Sequence, residues 1–110
     1  MHRSERLGEM LREEITEIVG FELEDPRLIA VTVTDVRVTE NLRDAKVFVL
    51  VEGDENEIEM AMKALRGAAG FVRQQLALNL DLHHAPQIHF VRDTVEENAA
   101  RIEELLEDLA

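Results

Sequence analysis

Two neighbouring segments with strand-type sequence constrain the fold most. Residues 28–39 are rich in Val, Ile and Thr, with apolar residues at alternate positions, which is typical of a strand with one buried face. After a polar turn at 40–44, residues 45–51 form a nearly continuous apolar run. Such a run predicts a central strand covered on both faces. The two segments together predict an antiparallel hairpin.

The first of these strands changes its register partway along. Apolar residues occupy odd positions up to Val33 but even positions from Val36 onward. Because successive side chains of a strand point to opposite faces, both sets can reach one core only if an extra residue is inserted between them. The sequence therefore predicts a bulge near Thr34 and Asp35.

Helical spacing marks the segments on either side of the hairpin. Apolar residues recur every three or four positions from Leu7 to Ile18, and Gly20 is the predicted end of this helix. A second helical pattern extends from Ile58 to Leu80. Gly67 and Gly70 interrupt that pattern, and each costs about 1 kcal/mol in a helix interior. We expect a kink or a break there.

A short strand at 87–92 and an acidic amphipathic helix from Thr94 complete the chain. The predicted order is αββααβ with a terminal helix, an α+β domain whose three-stranded sheet has helices on one face. With 110 residues, 45% of them hydrophobic, the chain can build one core. We expect a domain at 1–93 and a separate acidic helix or tail at 94–110.

Composition excludes several chemistries. The absence of cysteine removes disulfides, thiolate nucleophiles and Cys-ligated metals. No apolar run is long enough to span a membrane, and the first residues lack the apolar core of a signal peptide. We expect a cytoplasmic protein with no membrane partner.

The net charge of −12 argues against a nucleic-acid partner only until its distribution is considered. Twenty of the 24 acids fall in three blocks, before Pro26, at 52–59 and at 93–108. Residues 60–80 contain no acid at all. One face of the protein can therefore be positive.

Within this acid-free window, basic residues surround small ones. Lys63, Arg66, Gly70 and Arg73 fall on one side of a helix, and Gly67, Ala68 and Ala69 leave the backbone accessible to phosphate oxygens. The sequence predicts RNA contact here. Second-rank candidates are Arg3, Arg6, Arg43 and Lys46. The aromatic residues Phe21, Phe48, Phe71 and Phe90 are predicted to be core, which disfavours base stacking on a sheet.

Eight stretches, spread over nearly the full length of the chain, together carry a family resemblance: Ser4 to Leu11, Asp25-Pro26-Arg27, Val31 to Val36, Leu42 to Val49, Ala64-Leu65, Ala68 to Arg73, Pro86 to Phe90 and Ala100 to Leu106. They resemble the ribosome-binding factor A family, whose members have a KH-like (type II) domain. In that family an Ala-x-Gly kink between two helices replaces the KH loop, and Ala68-Ala69-Gly70 occupies this position. Gly67 also completes a Gly-x-x-Gly string, so a kinked helix and a true loop both stay open.

The resemblance implies a non-catalytic factor that binds 16S rRNA in the immature 30S subunit and assists late rRNA processing and subunit maturation, with a role in cold adaptation. Its partners would be 16S rRNA and the free or immature 30S subunit. We expect a monomer without a cofactor. Because many relatives are more basic, the charge of −12 implies that contact is confined to the acid-free face.

Two other functions compete with this interpretation. Asp81, His83, His84 and His89 could be drawn as a metal site of an enzyme, but adjacent histidines on an extended segment point to opposite faces. Alternatively, the acidic helix from Thr94 could dock on a ribosomal or other basic protein without RNA contact.

Overall fold

Three helices and a three-stranded sheet form the part of the chain that the structure, a computed structural model, describes, residues 3–109. The elements in chain order are α1 (Arg3–Glu17), β1 (Val31–Val38), β2 (Asp44–Val51), α2 (Glu55–Asn79), β3 (Gln87–Arg92) and α3 (Val95–Leu109). The predicted α+β class and three-stranded sheet are confirmed. No helix in the described residues is both long and apolar enough to cross a bilayer.

The sheet has the order β1-β2-β3, with β1 antiparallel and β3 parallel to β2. The central position predicted for β2 is therefore confirmed, but the expectation that both its faces are covered is wrong. Ala45, Val47 and Val49 are fully buried, whereas Lys46 is exposed and Phe48 only partly buried. Helix α1 packs on β1 and α2 packs on β3, and their buried faces close one core with this side of the sheet.

The predicted bulge lies in β1 where the register changes. Val33 pairs with Val49 and Asp35 with Phe48, so Thr34 is the extra residue. The apolar residues before and after it, Val31 and Val36 among them, pack in the same core.

Helix α2 is a single α-helix of 25 residues, so the predicted break at the glycines is absent. Asp54 and Glu57 form a capping box at its start. Buried apolar residues occur along its whole length, from Ile58 to Leu76. Burying one such side chain stabilises by about 1.5–3 kcal/mol, so their sum exceeds the cost of two glycines, about 1 kcal/mol each.

Helix α1 does not stop at Gly20. It continues as a π-helical turn over Ile18–Glu22, which buries Ile18 and Val19. A 3₁₀ turn at Pro26–Leu28 follows, and the Asp25 side chain caps it by accepting from the Arg27 backbone N–H at 2.9 Å. Hydrogen bonds from the Arg27 side chain hold the pKa of Asp25 below its usual range.

Candidate nucleic-acid interface

A groove of about 1000 Å³ lies where four segments of the chain meet. We call it the arginine groove, because arginines are its main charged residues. Its lining is Arg3, Arg6, Leu7 and Met10 from α1, Asn41 to Asp44 before and at the start of β2, Arg73 from α2, and Leu82 to Ala85 with Gln87 before and at the start of β3.

The parallel pairing of β2 and β3 brings two of these segments together. Asp44 is the register partner of Gln87, so both strands begin at the same end of the sheet. The Gln87 N–H donates to the Arg43 carbonyl at 2.8 Å, which joins the two preceding loops. Arg73 joins α2 to the same place, since its Nε donates to the Ala85 carbonyl at 3.1 Å.

Helix α1 reaches the groove because Gly8 allows a close approach to β1. A Cβ at position 8 would lie 2.9 Å from the Val36 carbonyl oxygen. This contact sets the first turns of α1 beside the end of β1 that leads into the β1–β2 loop. Arg3, Arg6 and Leu7 therefore face the loop that carries Arg43.

Three arginines outside the groove are held by carboxylates. Arg27, Arg37 and Arg92 are paired with Asp25, Asp35 and Glu55 at N–O distances of 2.7 to 3.1 Å.

In contrast, the four groove arginines have no carboxylate partner in the described part of the chain. All four side chains are exposed at the mouth of the groove. Among the described residues that line the groove, four arginines against the single acid Asp44 leave three positive charges, in a protein of net charge −12. Because guanidinium groups present paired donors to phosphate oxygens, the groove is suited to a polyanion.

Two residues of the groove loops adopt left-handed backbone conformations that glycine or asparagine would favour. Leu42 has φ of 62° and Asp81, just before the groove residue Leu82, has φ of 52°. Such conformations cost of order 1–2 kcal/mol for other residues and concentrate at functional sites. The Leu42 turn is closed by its N–H donating to the Thr39 carbonyl at 2.9 Å.

The remaining predicted residues lie outside the groove. Lys63 and Arg66 are exposed on α2, and Arg66 is two helical turns, about 10 Å, from Arg73 on the same face. Gly67 and Gly70 are exposed, and a Cβ added at either would meet nothing within 4 Å beyond the helix's own backbone and its chain neighbours, whereas Ala68 and Ala69 are half-buried. We call Lys63, Arg66 and the segment 67–70 the α2 strip.

Lys46 lies on the open face of the sheet, opposite His89 in the β2–β3 pairing. The structure thus joins Arg73 with three of the second-rank residues, Arg3, Arg6 and Arg43, rather than with Lys63 and Arg66.

The prediction that all four aromatic residues are core holds for Phe90 alone among the four, since it is buried in the core cluster. Phe48 is partly buried on the open face of the sheet, and Phe21 is 73% and Phe71 43% exposed. Phe71 adjoins the buried Val72 along α2, so it falls about 100° off the buried face.

The residues considered as the alternative metal site do not form a cluster. In the described residues no group of three or more His, Asp or Glu side chains could hold a metal ion. The Nε2 of His89 lies 2.8 Å from Asp44, whereas the rings of His83 and His84 contact each other in the groove wall. This histidine pair was not among the site residues predicted from the sequence. The signal that could have identified it was two consecutive histidines shortly before a predicted strand.

Comparison with known proteins gives one consistent result. A family model described as ribosome-binding factor A matches residues 3–106. The ribosome-binding factor A of Desulfitobacterium hafniense (strain DSM 10664 / DCB-2) is 47% identical over 105 residues, which are 96% of this chain and 84% of that protein.

A crystal structure and a map-fitted model of relatives share the fold. The crystal structure of ribosome-binding factor A from Thermus thermophilus superposes with a TM-score of 0.73 at 27% identity and covers 83% of this chain and 97% of that one. A homology model of the Thermus thermophilus ribosome-binding factor A, fitted into the cryo-EM map of its complex with the 30S subunit, matches with a TM-score of 0.66 at 28% identity, over 76% of this chain and 88% of that one.

Proposed function

This chain belongs to the ribosome-binding factor A family, and from that membership we propose that it binds the 30S ribosomal subunit through 16S rRNA. We propose further that it acts on immature subunits in the cytoplasm, assists late 16S rRNA processing, supports growth in the cold, and works as a monomer without catalysis. The placement of a relative in a 30S complex supports the first of these steps.

The arginine groove is the single observation that carries the RNA contact. It gathers four arginines without carboxylate partners in the described residues, and Asp44 is the single acid among the described residues that line it. Phosphate contacts supply most of the affinity of such a protein and position it on the RNA. Arg3, Arg6, Arg43 and Arg73 would bind phosphates first.

The α2 strip would extend this contact along the helix. Arg66 continues the line of Arg73, and the exposed Gly67 and Gly70 let an RNA backbone approach α2 closely. Lys46, on the open sheet face, would contribute only if the RNA also crosses that face.

Depletion of the protein in its own cells tests the maturation role. We expect precursor 16S rRNA to accumulate and growth to slow more at low temperature than at the optimum. The wild-type gene should reverse both effects, and a gene with Arg6→Glu, Arg43→Glu and Arg73→Glu should not. Normal levels of mature 16S rRNA after depletion would contradict the proposal.

A second candidate function is favoured by α3. This helix carries six acids and one arginine, and its apolar residues Ile102, Leu105 and Leu106 are more than half exposed. We infer that 94–110 is a unit distinct from the domain at 1–93 and could dock on a basic ribosomal protein. If truncation after Asp93 abolishes 30S binding while the groove variant binds normally, protein docking replaces RNA contact as the main function.

A further inference from the structure

We propose that His83 and His84 form a nucleobase-stacking subsite at the wall of the arginine groove. The subsite would hold one unpaired base of an RNA whose phosphates contact Arg43 and Arg73. This inference rests on the proposed function, since it requires RNA in the groove.

The geometry of the two rings suits a base. Their centroids are 5.6 Å apart and their planes are inclined by 73°, an edge-to-face contact. Such a contact uses one ring face, and both side chains are exposed, so an aromatic face remains open to a planar ligand. Histidine rings in RNA-binding proteins serve as stacking surfaces for unstacked bases.

Among the described side chains, no polar contact accounts for the pair. In residues 3–109 neither ring takes part in a hydrogen bond or an ion pair with a described side chain. His89, by comparison, lies 2.8 Å from Asp44. The two groove histidines therefore differ from His89 in having only each other as a described side-chain partner.

The segment that carries the rings is held at both ends. The Leu82 N–H donates to the Ala77 carbonyl at 2.9 Å, which closes the end of α2. Ala85 and Pro86 are buried, and the Ala85 carbonyl accepts from Arg73 Nε at 3.1 Å. The backbone that carries the rings is thus fixed before any ligand arrives, which lowers the entropic cost of binding.

The same hydrogen bond places the Arg73 guanidinium, a group that can bind phosphate, beside the segment that carries the rings. Arg73 uses Nε for Ala85, and its two terminal nitrogens have no partner among the described residues. Arg43 also lines the groove. The apolar part of the groove lining consists of Leu7, Met10, Leu42 and Leu82. A nucleotide whose phosphate contacts the arginines and whose base stacks on the rings would use both the charged and the aromatic surface of the groove.

This arrangement requires single-stranded RNA. In a duplex the faces of the bases are stacked on their neighbours, so no base face is available to the histidines. Stacking tolerates all four bases, so the subsite would distinguish paired from unpaired RNA and not one sequence from another.

Fluorescence anisotropy with a labelled eight-nucleotide RNA and the matching duplex tests the subsite. The variant His83→Ala/His84→Ala should bind the single strand about tenfold more weakly, and the duplex as before, because one stacked base is lost. The variant His83→Phe/His84→Phe should restore binding, since it keeps aromatic rings. His89→Ala is the matched control and should bind as wild type.

The outcomes separate a failure of the stacking subsite from a failure of the proposed function. Equal binding of the single strand by wild type and the alanine pair, or a phenylalanine pair as weak as the alanine pair, overturns the subsite. The absence of wild-type binding to the single strand overturns it as well. Co-sedimentation of the wild type with 30S subunits is measured in parallel, and only its failure counts against the proposed function.

Discussion

The Oγ1 of Thr34 donates a hydrogen bond to Oδ2 of Asp93 at 2.7 Å. Thr34 is the bulge residue of β1, and Asp93 follows β3, so the contact joins two outer strands that do not pair with each other. Asp93 is only 2% exposed, and its backbone N–H donates to the Val49 carbonyl of β2 at 2.7 Å. The bulge therefore has a role beyond restoring the register.

Replacement of Thr34 by valine should lower the free energy of unfolding by about 1–3 kcal/mol. The reason is that a buried carboxylate loses a donor while the shape of the side chain is kept. Urea denaturation measures the change. Thr32→Val, an exposed position of the same strand, is the control and should change stability by less than about 0.5 kcal/mol. Equal effects at both positions would contradict the role of the Asp93 contact.

Gly8→Ala should destabilise the protein by about 1–3 kcal/mol, because the added methyl would lie 2.9 Å from the Val36 carbonyl oxygen, a backbone atom. Thermal unfolding followed by circular dichroism measures it. Gly20→Ala adds a methyl where nothing lies within 4 Å and is the control. If Gly8→Ala is as stable as wild type, α1 does not approach β1 this closely.

Gly67→Ala and Gly70→Ala should each stabilise the protein by about 1 kcal/mol. Both glycines lie inside a continuous helix with open space around the missing methyl, so alanine gains helix propensity without a clash. Urea denaturation measures the change in the free energy of unfolding. Destabilisation at either position would indicate a loop in place of the helix.

Asp81→Gly should stabilise the protein by up to about 1 kcal/mol, because φ of 52° suits glycine at the residue after a helix C-cap. Asp81→Ala keeps a Cβ in the left-handed region and should not stabilise. The difference in urea midpoint between the two variants is the measurement. A glycine variant less stable than the alanine variant would contradict this backbone conformation.

The periodicity of apolar residues predicted the features of the fold that depend on local sequence. The parity change at Val33 and Val36 is sufficient to position the bulge, since both apolar sets must reach one core. Local propensity failed at Gly67 and Gly70, because burial of Leu65 and Val72 on either side outweighs their cost.

The arginine groove could not be predicted from spacing along the chain. Arg6, Arg43 and Arg73 are far apart in sequence, and only the parallel register of β2 and β3 and the close approach at Gly8 bring them together. The acid-free window pointed to Arg73 but grouped it with its neighbours on α2. A charge pattern on one helix cannot show which other segments fold against it.

Co-sedimentation with immature 30S subunits across a salt series tests the central claim, that the arginine groove contacts rRNA, most directly. The variant Arg6→Glu/Arg43→Glu/Arg73→Glu is compared with Arg27→Glu/Arg37→Glu/Arg92→Glu, which changes net charge equally but alters paired arginines outside the groove. We predict that the groove variant loses salt-sensitive binding while the control, once shown to be folded, keeps it. Equal binding by the two variants would contradict the account.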